Sequence, residues 1–182
     1  SELVPLGVAG RDVLGQSRTG TGKTAAFGLP LLHRLAENPS PFSGLVLCPT
    51  RELAIQIAKD LQALAGDLPV KIMPVYGGQR MKVQSDKLKK GPHILVGTPG
   101  RVMDFHQRGE LPYDNIQMAV LDEVDRMLDI GFRDDIRRIL GGMTQEHQTI
   151  FVSATISEEI ERLARKYLTD PERLTHEGKS LT

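Results

Sequence analysis

Residues 17–24, "SRTGTGKT", decide how the rest of the chain is read. The stretch before them, "DVLGQ" (12–16), has the apolar run of a strand, and "AAFGLPLLHRLAE" (25–37) after them spaces its apolar residues as a helix does. Between such elements Gly20 and Gly22 let the backbone curl so that successive N–H groups point inward. The helix that follows aims the positive end of its dipole at the same point, which suits a phosphate. Lys23 has the reach for β- and γ-phosphates, and the Thr24 hydroxyl suits Mg²⁺. The phosphate-loop pattern G-x-x-x-x-G-K-[ST] is met at Gly22, Lys23 and Thr24, with Ser17 at its first glycine position. A glycine turn that merely caps a helix would explain the glycines, but not the preceding strand, the following helix and the lysine together.

Further along, short apolar runs alternate with periodic segments. "GLVLCP" (44–49), "VKIMPVYGG" (70–78), "HILVGT" (93–98), "MAVLDE" (118–123) and "TIFVSAT" (149–155) read as strands. "RELAIQIAKDLQALAG" (51–66) reads as a helix with Leu53, Ile57, Leu61 and Leu64 on its apolar face and Gly66 as its stop. Residues 79–91, 100–108, 131–140 and 157–168 read as further helices, the last opened by Ser157, and 36–44 as a loop. This alternation predicts an α/β fold with a mostly parallel central sheet and helices on both faces. Ligands in such sheets sit at the carboxyl ends of the strands, which gathers 17–24, 49–51, 98–101, 122–125 and 153–155 along one edge.

A phosphate site needs a metal partner. "AVLDEVD" ends a strand on Asp122, suited to hold Mg²⁺ through water, and Glu123 follows at once, suited to orient or deprotonate a water. Taken alone, the same acidic run also reads as a helix N-terminus favoured by the dipole.

The chain of 182 residues has 40% hydrophobic and 25% charged residues and zero net charge, the profile of one globular domain rather than of a general polyanion binder. Charge is unevenly divided: residues 1–91 carry 12 Lys and Arg against 7 Asp and Glu, a balance of +5, and residues 92–182 carry 11 against 16, or −5. Aromatic residues at 4% disfavour a broad base-stacking platform. Cys48 is the only cysteine, which excludes an internal disulfide and fits a reducing compartment. No apolar run is long enough to span a membrane and the first residues lack a signal-peptide pattern, so a cytoplasmic protein without a membrane partner is the expectation, or a nuclear one in a eukaryote.

"SRTGTGKT", "PTRELA" (49–54), the glycine pair 77–78, "TPGR" (98–101), "DEVD" (122–125) and "SAT" (153–155), in this order, resemble the DEAD-box family of ATP-dependent RNA helicases. More narrowly, residues 1–170 resemble the first of its two RecA-like domains, with 171–182 a last strand and a tail toward a second domain. The resemblance implies ATP and Mg²⁺ as cofactors. It assigns Ser17, Arg18, Thr19, Gly20, Thr21, Gly22, Lys23 and Thr24 to ATP, and Thr24 and Asp122 to the metal, with Lys23, Asp122 and Glu123 as catalytic. It also implies that Pro49, Thr50, Arg51, Gly78, Thr98, Pro99, Gly100 and Arg101 hold the sugar-phosphate backbone of RNA. Both Thr50 and Thr98 precede a helix, where hydroxyls and free N–H groups face outward, and the two arginines add charge; surface salt bridges are the competing reading for those arginines. Asp125, Ser153 and Thr155 would couple nucleotide to RNA. Two departures are the serine at 17 and Val124 in place of the family's alanines.

The family's adenine-reading segment would end just before residue 1, so the chain is expected to begin inside the domain and to discriminate bases weakly. Without the second domain, which in the family carries arginine fingers, a monomeric fragment with very slow hydrolysis and no unwinding is expected. The alternatives are an ATP-gated RNA clamp or scaffold and a phosphate-loop NTPase acting on DNA or moving a solute.

Overall fold

The computed structural model describes residues 3–18 and 23–175. Thr19, Gly20, Thr21 and Gly22, assigned above to ATP, lie outside the described residues, as does the tail from 176 on. Seven strands form one sheet: β1 (Val13–Gln16), β2 (Gly44–Leu47), β3 (Ile72–Val75), β4 (Ile94–Gly97), β5 (Met118–Asp122), β6 (Gln148–Ser153) and β7 (Glu172–Leu174). Their spatial order is β3-β4-β2-β5-β6-β1-β7, and every pairing is parallel. All seven carboxyl ends therefore lie along one edge.

Parallel strands need helical crossovers, and these cover both faces. On one face α1 (Leu3–Val8), α2 (Lys23–Ala36) and α3 (Arg51–Ala65) pack against Val13, Val46, Val96, Val120 and Ile150. The other face packs α4 (Met81–Leu88), α5 (Pro99–Gln107), α6 (Val124–Ile130), α7 (Arg133–Gly142) and α8 (Glu158–Tyr167) against Leu14, Leu45, Leu95, Leu121 and Phe151. Neighbouring strand residues thus serve opposite cores, which is why β2, β4, β5 and β6 read as unbroken apolar runs. The predicted helix stops and starts are present: Gly66 turns out of α3 with φ 54, and the Ser157 hydroxyl accepts from the Ile160 N–H at 3.3 Å to open α8.

Two helices and one helix face depart from the sequence reading. The segments Leu3–Val8 and Val124–Ile130 are helical, yet six and seven residues are too few to display a period. In α3 the buried stripe is Ala54, Ile57, Ala58, Leu61 and Ala65; Leu53 is only partly buried and Leu64 is 37% exposed. Small residues turn inward because α3 is pressed close to α2, where a Cβ placed on Gly28 would lie 2.7 Å from Leu61 Cδ2.

Gly97, the last residue of β4, shows how tightly the sheet edge is built. A Cβ there would meet Val102 Cγ2 of α5 at 2.6 Å and the Val75 carbonyl oxygen of β3 at 2.8 Å. The backbone oxygen cannot yield without breaking the β3–β4 register. Gly97→Ala is expected to lower stability by about 1–3 kcal/mol, read as a fall in the urea midpoint of this chain.

Candidate nucleotide and nucleic-acid site

At the centre of the edge, β5 delivers Asp122 and the start of α2 delivers Lys23. Their side chains meet with Lys23 Nζ 2.7 Å from Asp122 Oδ1, at 11% and 3% exposure. Burial holds the Asp122 carboxyl above the usual carboxylate range, and the Lys23 ammonium opposes that shift. Asp122 Oδ1 is sealed from solvent and held by the Lys23 ammonium. The carboxylate keeps acceptor capacity beyond that one contact, which a metal-bound water would use.

Around this pair lies a cleft of about 130 Å³, lined by Lys23, Thr24, Gln56, Asp60, Asp122 and Glu123 among others. The Thr24 hydroxyl donates to Asp60 Oδ2 at 3.2 Å, and Gln56 Nε2 donates to Asp60 Oδ1 at 2.9 Å. A hydroxyl that donates in this way keeps its oxygen lone pairs for a cation. The donor set therefore fits Mg²⁺ at Thr24 and Asp122. Among the described residues, no group of three or more His, Cys, Asp or Glu could by itself hold a metal ion.

Glu123 is half-buried and adopts a left-handed conformation, φ 53 and ψ 53, between β5 and α6. For a non-glycine residue this costs about 1–2 kcal/mol, and it breaks the strand so that Glu123 lines the cleft. Next to the cleft, Cys48 is buried; burial first and the Asp122 carboxylate second push its thiol up, so it is inert rather than nucleophilic.

Immediately beyond, Asp125 Oδ2 accepts from both the Thr155 N–H at 3.2 Å and the Thr155 hydroxyl at 2.9 Å. Ser153 Oγ accepts from the Asp125 N–H at 3.1 Å and donates to the Thr155 carbonyl at 2.8 Å. The Ser17 N–H donates to the Ser153 carbonyl at 2.9 Å, and Gln16 Nε2 donates to the Ala154 carbonyl at 3.1 Å. The acidic loop, the loop after β6 and the start of the phosphate loop are thereby one hydrogen-bonded unit. Val124 is fully buried, so the larger side chain at this position is taken up by the core.

The remaining motifs lie on the adjacent strands β2, β4 and β3. Arg51, at the start of α3, is exposed; its guanidinium lies 5.4 Å from the centre of the Tyr76 ring and close to Gly78. Gly78 has φ 90, a backbone conformation that favours glycine, and Arg51 Nη1 would lie 2.8 Å from a Cβ placed on it. Arg101 of α5 donates to the Gln79 carbonyl at 3.5 Å and lies 5.9 Å from the Phe105 ring centre. Neither arginine forms an ion pair among the described residues. The Thr50 oxygen accepts from the Leu53 N–H at 3.2 Å and so caps α3, with its hydroxyl proton still free to donate, whereas Thr98 makes no such capping bond. Pro99 is buried as the first residue of α5, and Gly100 has nothing within 4 Å of where a Cβ would stand.

Four polar residues of this edge carry no motif in the sequence: Gln16, Gln56, Asp60 and Gln84. Tertiary partners reveal Gln16 at Ala154, Asp60 at Thr24 and Gln84 at Tyr76, and Gln56 joins them through its bond to Asp60.

A family model described as DEAD/DEAH box helicase matches residues 1–163. The whole chain is 43% identical to the DEAD-box ATP-dependent RNA helicase CshA of Bacillus subtilis strain 168, of which it spans 37%. It is 44% identical to the ATP-dependent RNA helicase CshA of Listeria monocytogenes, of which it spans 35%. Among solved structures, a DEAD box protein from the hyperthermophile Methanococcus jannaschii matches 98% of this chain and 48% of its own at 38% identity, with a TM-score of 0.89. A hypothetical ATP-dependent RNA helicase from Sulfolobus tokodaii matches 95% of this chain and 50% of its own at 32% identity, with a TM-score of 0.86. By motif order, by fold and by these matches, the chain belongs to the DEAD/DEAH box helicase family.

Proposed function

We propose that this chain is the ATP-binding domain of an RNA-dependent ATPase that locally separates RNA duplexes. The observation that carries the reading is the meeting of Lys23 with Asp122 at 2.7 Å, on the same sheet edge as two arginines without acidic partners. Lys23 would turn from Asp122 to the phosphates of ATP. Mg²⁺, when bound, would neutralise phosphate charge, held by Asp122 through water and by the Thr24 oxygen. Glu123 orients the attacking water and takes its proton. Asp125, Thr155 and Ser153 transmit the state of the acidic loop to the β6 end through their mutual bonds.

RNA would lie across the β2, β4 and β3 ends, held by Arg51, Arg101 and the backbone around Thr98 and Gly78. Phosphate contacts of this kind position a strand without reading its bases, so weak sequence preference follows. A second RecA-like domain in the longer protein would complete both sites, consistent with the relatives being two to three times the length of this chain.

The test uses the longer protein. Its ATPase rate should rise with single-stranded RNA and not with a matched DNA; equal stimulation by both would remove RNA from the reading. The isolated chain should turn over about 10³–10⁵-fold more slowly, the worth of arginine fingers in related chemistry. Robust RNA-stimulated turnover by the isolated chain would overturn the role given to the second domain.

A further inference from the structure

We infer that Gln84 is a positioning residue for RNA, acting on Arg51 through Tyr76; the inference rests on the RNA reading of this edge. Gln84 lies in α4, in a stretch whose sequence is polar, yet it is completely buried. Its side-chain amide faces the backbone of Tyr76 and meets both groups: Oε1 accepts from the Tyr76 N–H at 3.0 Å, and Nε2 donates to the Tyr76 carbonyl at 2.8 Å. A primary amide paired in this way reproduces what a neighbouring strand would offer. Tyr76 follows directly on β3, the last strand on its side of the sheet, which has no neighbour there.

The rest of that open edge is closed by other means. Pro74 has no N–H, and Gln62 Nε2 donates to the Ile72 carbonyl at 3.3 Å. Gln84 therefore extends the ordered edge by one residue, to the point where the chain turns into the glycine pair. The fixed residue is the one whose ring lies 5.4 Å from the Arg51 guanidinium, and the next turn, at Gly78, packs against the same guanidinium. A long, exposed arginine loses much rotamer entropy when it grips a phosphate; holding it in advance on an anchored ring removes part of that loss. Gln84 touches no ligand in this account. Its effect is on where Arg51 waits.

The experiment measures, in the longer protein, the RNA concentration that half-saturates ATPase activity, together with kcat and the KM for ATP. Arg51→Ala should raise the RNA value about tenfold. Gln84→Met, which keeps volume and removes both bonds, should raise it about three- to tenfold with kcat and the KM for ATP unchanged. In the Arg51→Ala background the same change should add less than about twofold, because the two act as one unit. Tyr76→Leu, which leaves the backbone bonds to Gln84 in place, should behave as Gln84→Met does.

An unchanged RNA value in Arg51→Ala would remove the RNA reading of this edge itself. A normal Arg51→Ala defect with no effect of Gln84→Met, or with effects that multiply, would overturn the inference alone. Should Gln84→Met fail to fold, Gln84→Glu, which keeps the acceptor for the Tyr76 N–H, carries the same comparison. Loss of folding in both would also overturn it, by making Gln84 a residue of the core only.

Discussion

Glu123→Gln in the longer protein is expected to lower RNA-stimulated ATP hydrolysis by about 10²–10⁴-fold, the range for a positioned general base, with nucleotide affinity and fold retained. Geometry separates these effects. Glu123 lines the cleft beside Asp122 but makes no capping hydrogen bond to α6, so the fold does not depend on its carboxylate. Glutamine keeps the shape and accepts the same left-handed backbone while it cannot take a proton. Single-turnover hydrolysis with RNA present is the direct measurement. A rate equal to the parent's would remove Glu123 from the chemistry and favour the ATP-gated clamp, in which the carboxylates have no task beyond binding.

Lys23→Ala should have the largest effect on this chain by itself. It deletes one member of a buried pair and leaves Asp122, 3% exposed, without a countercharge. Breaking such a pair costs about 3 kcal/mol at neutral pH. The pH dependence has a definite sign. Burial already raises the Asp122 carboxyl and Lys23 opposes it; without Lys23 the folded-state value moves further above its unfolded value near 3.9. The folded state then binds the proton more tightly than the unfolded state. The deficit is therefore absent below about pH 4 and grows as pH rises toward the folded-state value. Urea midpoints of variant and parent should nearly coincide at pH 4 and differ most at pH 7, and adding Asp122→Asn should restore most of the loss. A variant as stable as its parent at pH 7 would mean that the two groups are not joined in solution.

A lysine after two glycines and carboxylates at the end of an apolar strand stood out from local pattern, the arginines at two helix starts only through the family resemblance, and the parallel sheet follows from the alternation of strands with helices. Gln84 was not legible, because residues 79–91 look like a solvated helix and only a bond to Tyr76, eight residues away, reveals the buried side chain. Asp60 was hidden in the same way by its distance from Thr24. Leu64 was misread as core because a helical period marks a stripe but not which edge of the stripe a neighbouring helix will cover.

What the sequence by itself determined was the inventory of groups and their order, since phosphate, metal and backbone recognition each need particular atoms at short spacing. What only the tertiary structure decided was their sorting. Along the chain the nucleotide motifs at 17–24 and 122–125 are separated by all three motifs assigned to RNA; in the sheet, β5, β6 and β1 stand together, and β3, β4 and β2 beside them. That partition comes from which strands pair, and pairing joins residues as far apart as Val13 and Ile150. Burial of both sheet faces against helices selects it, and a force that acts across the whole core leaves no mark on any short stretch of residues.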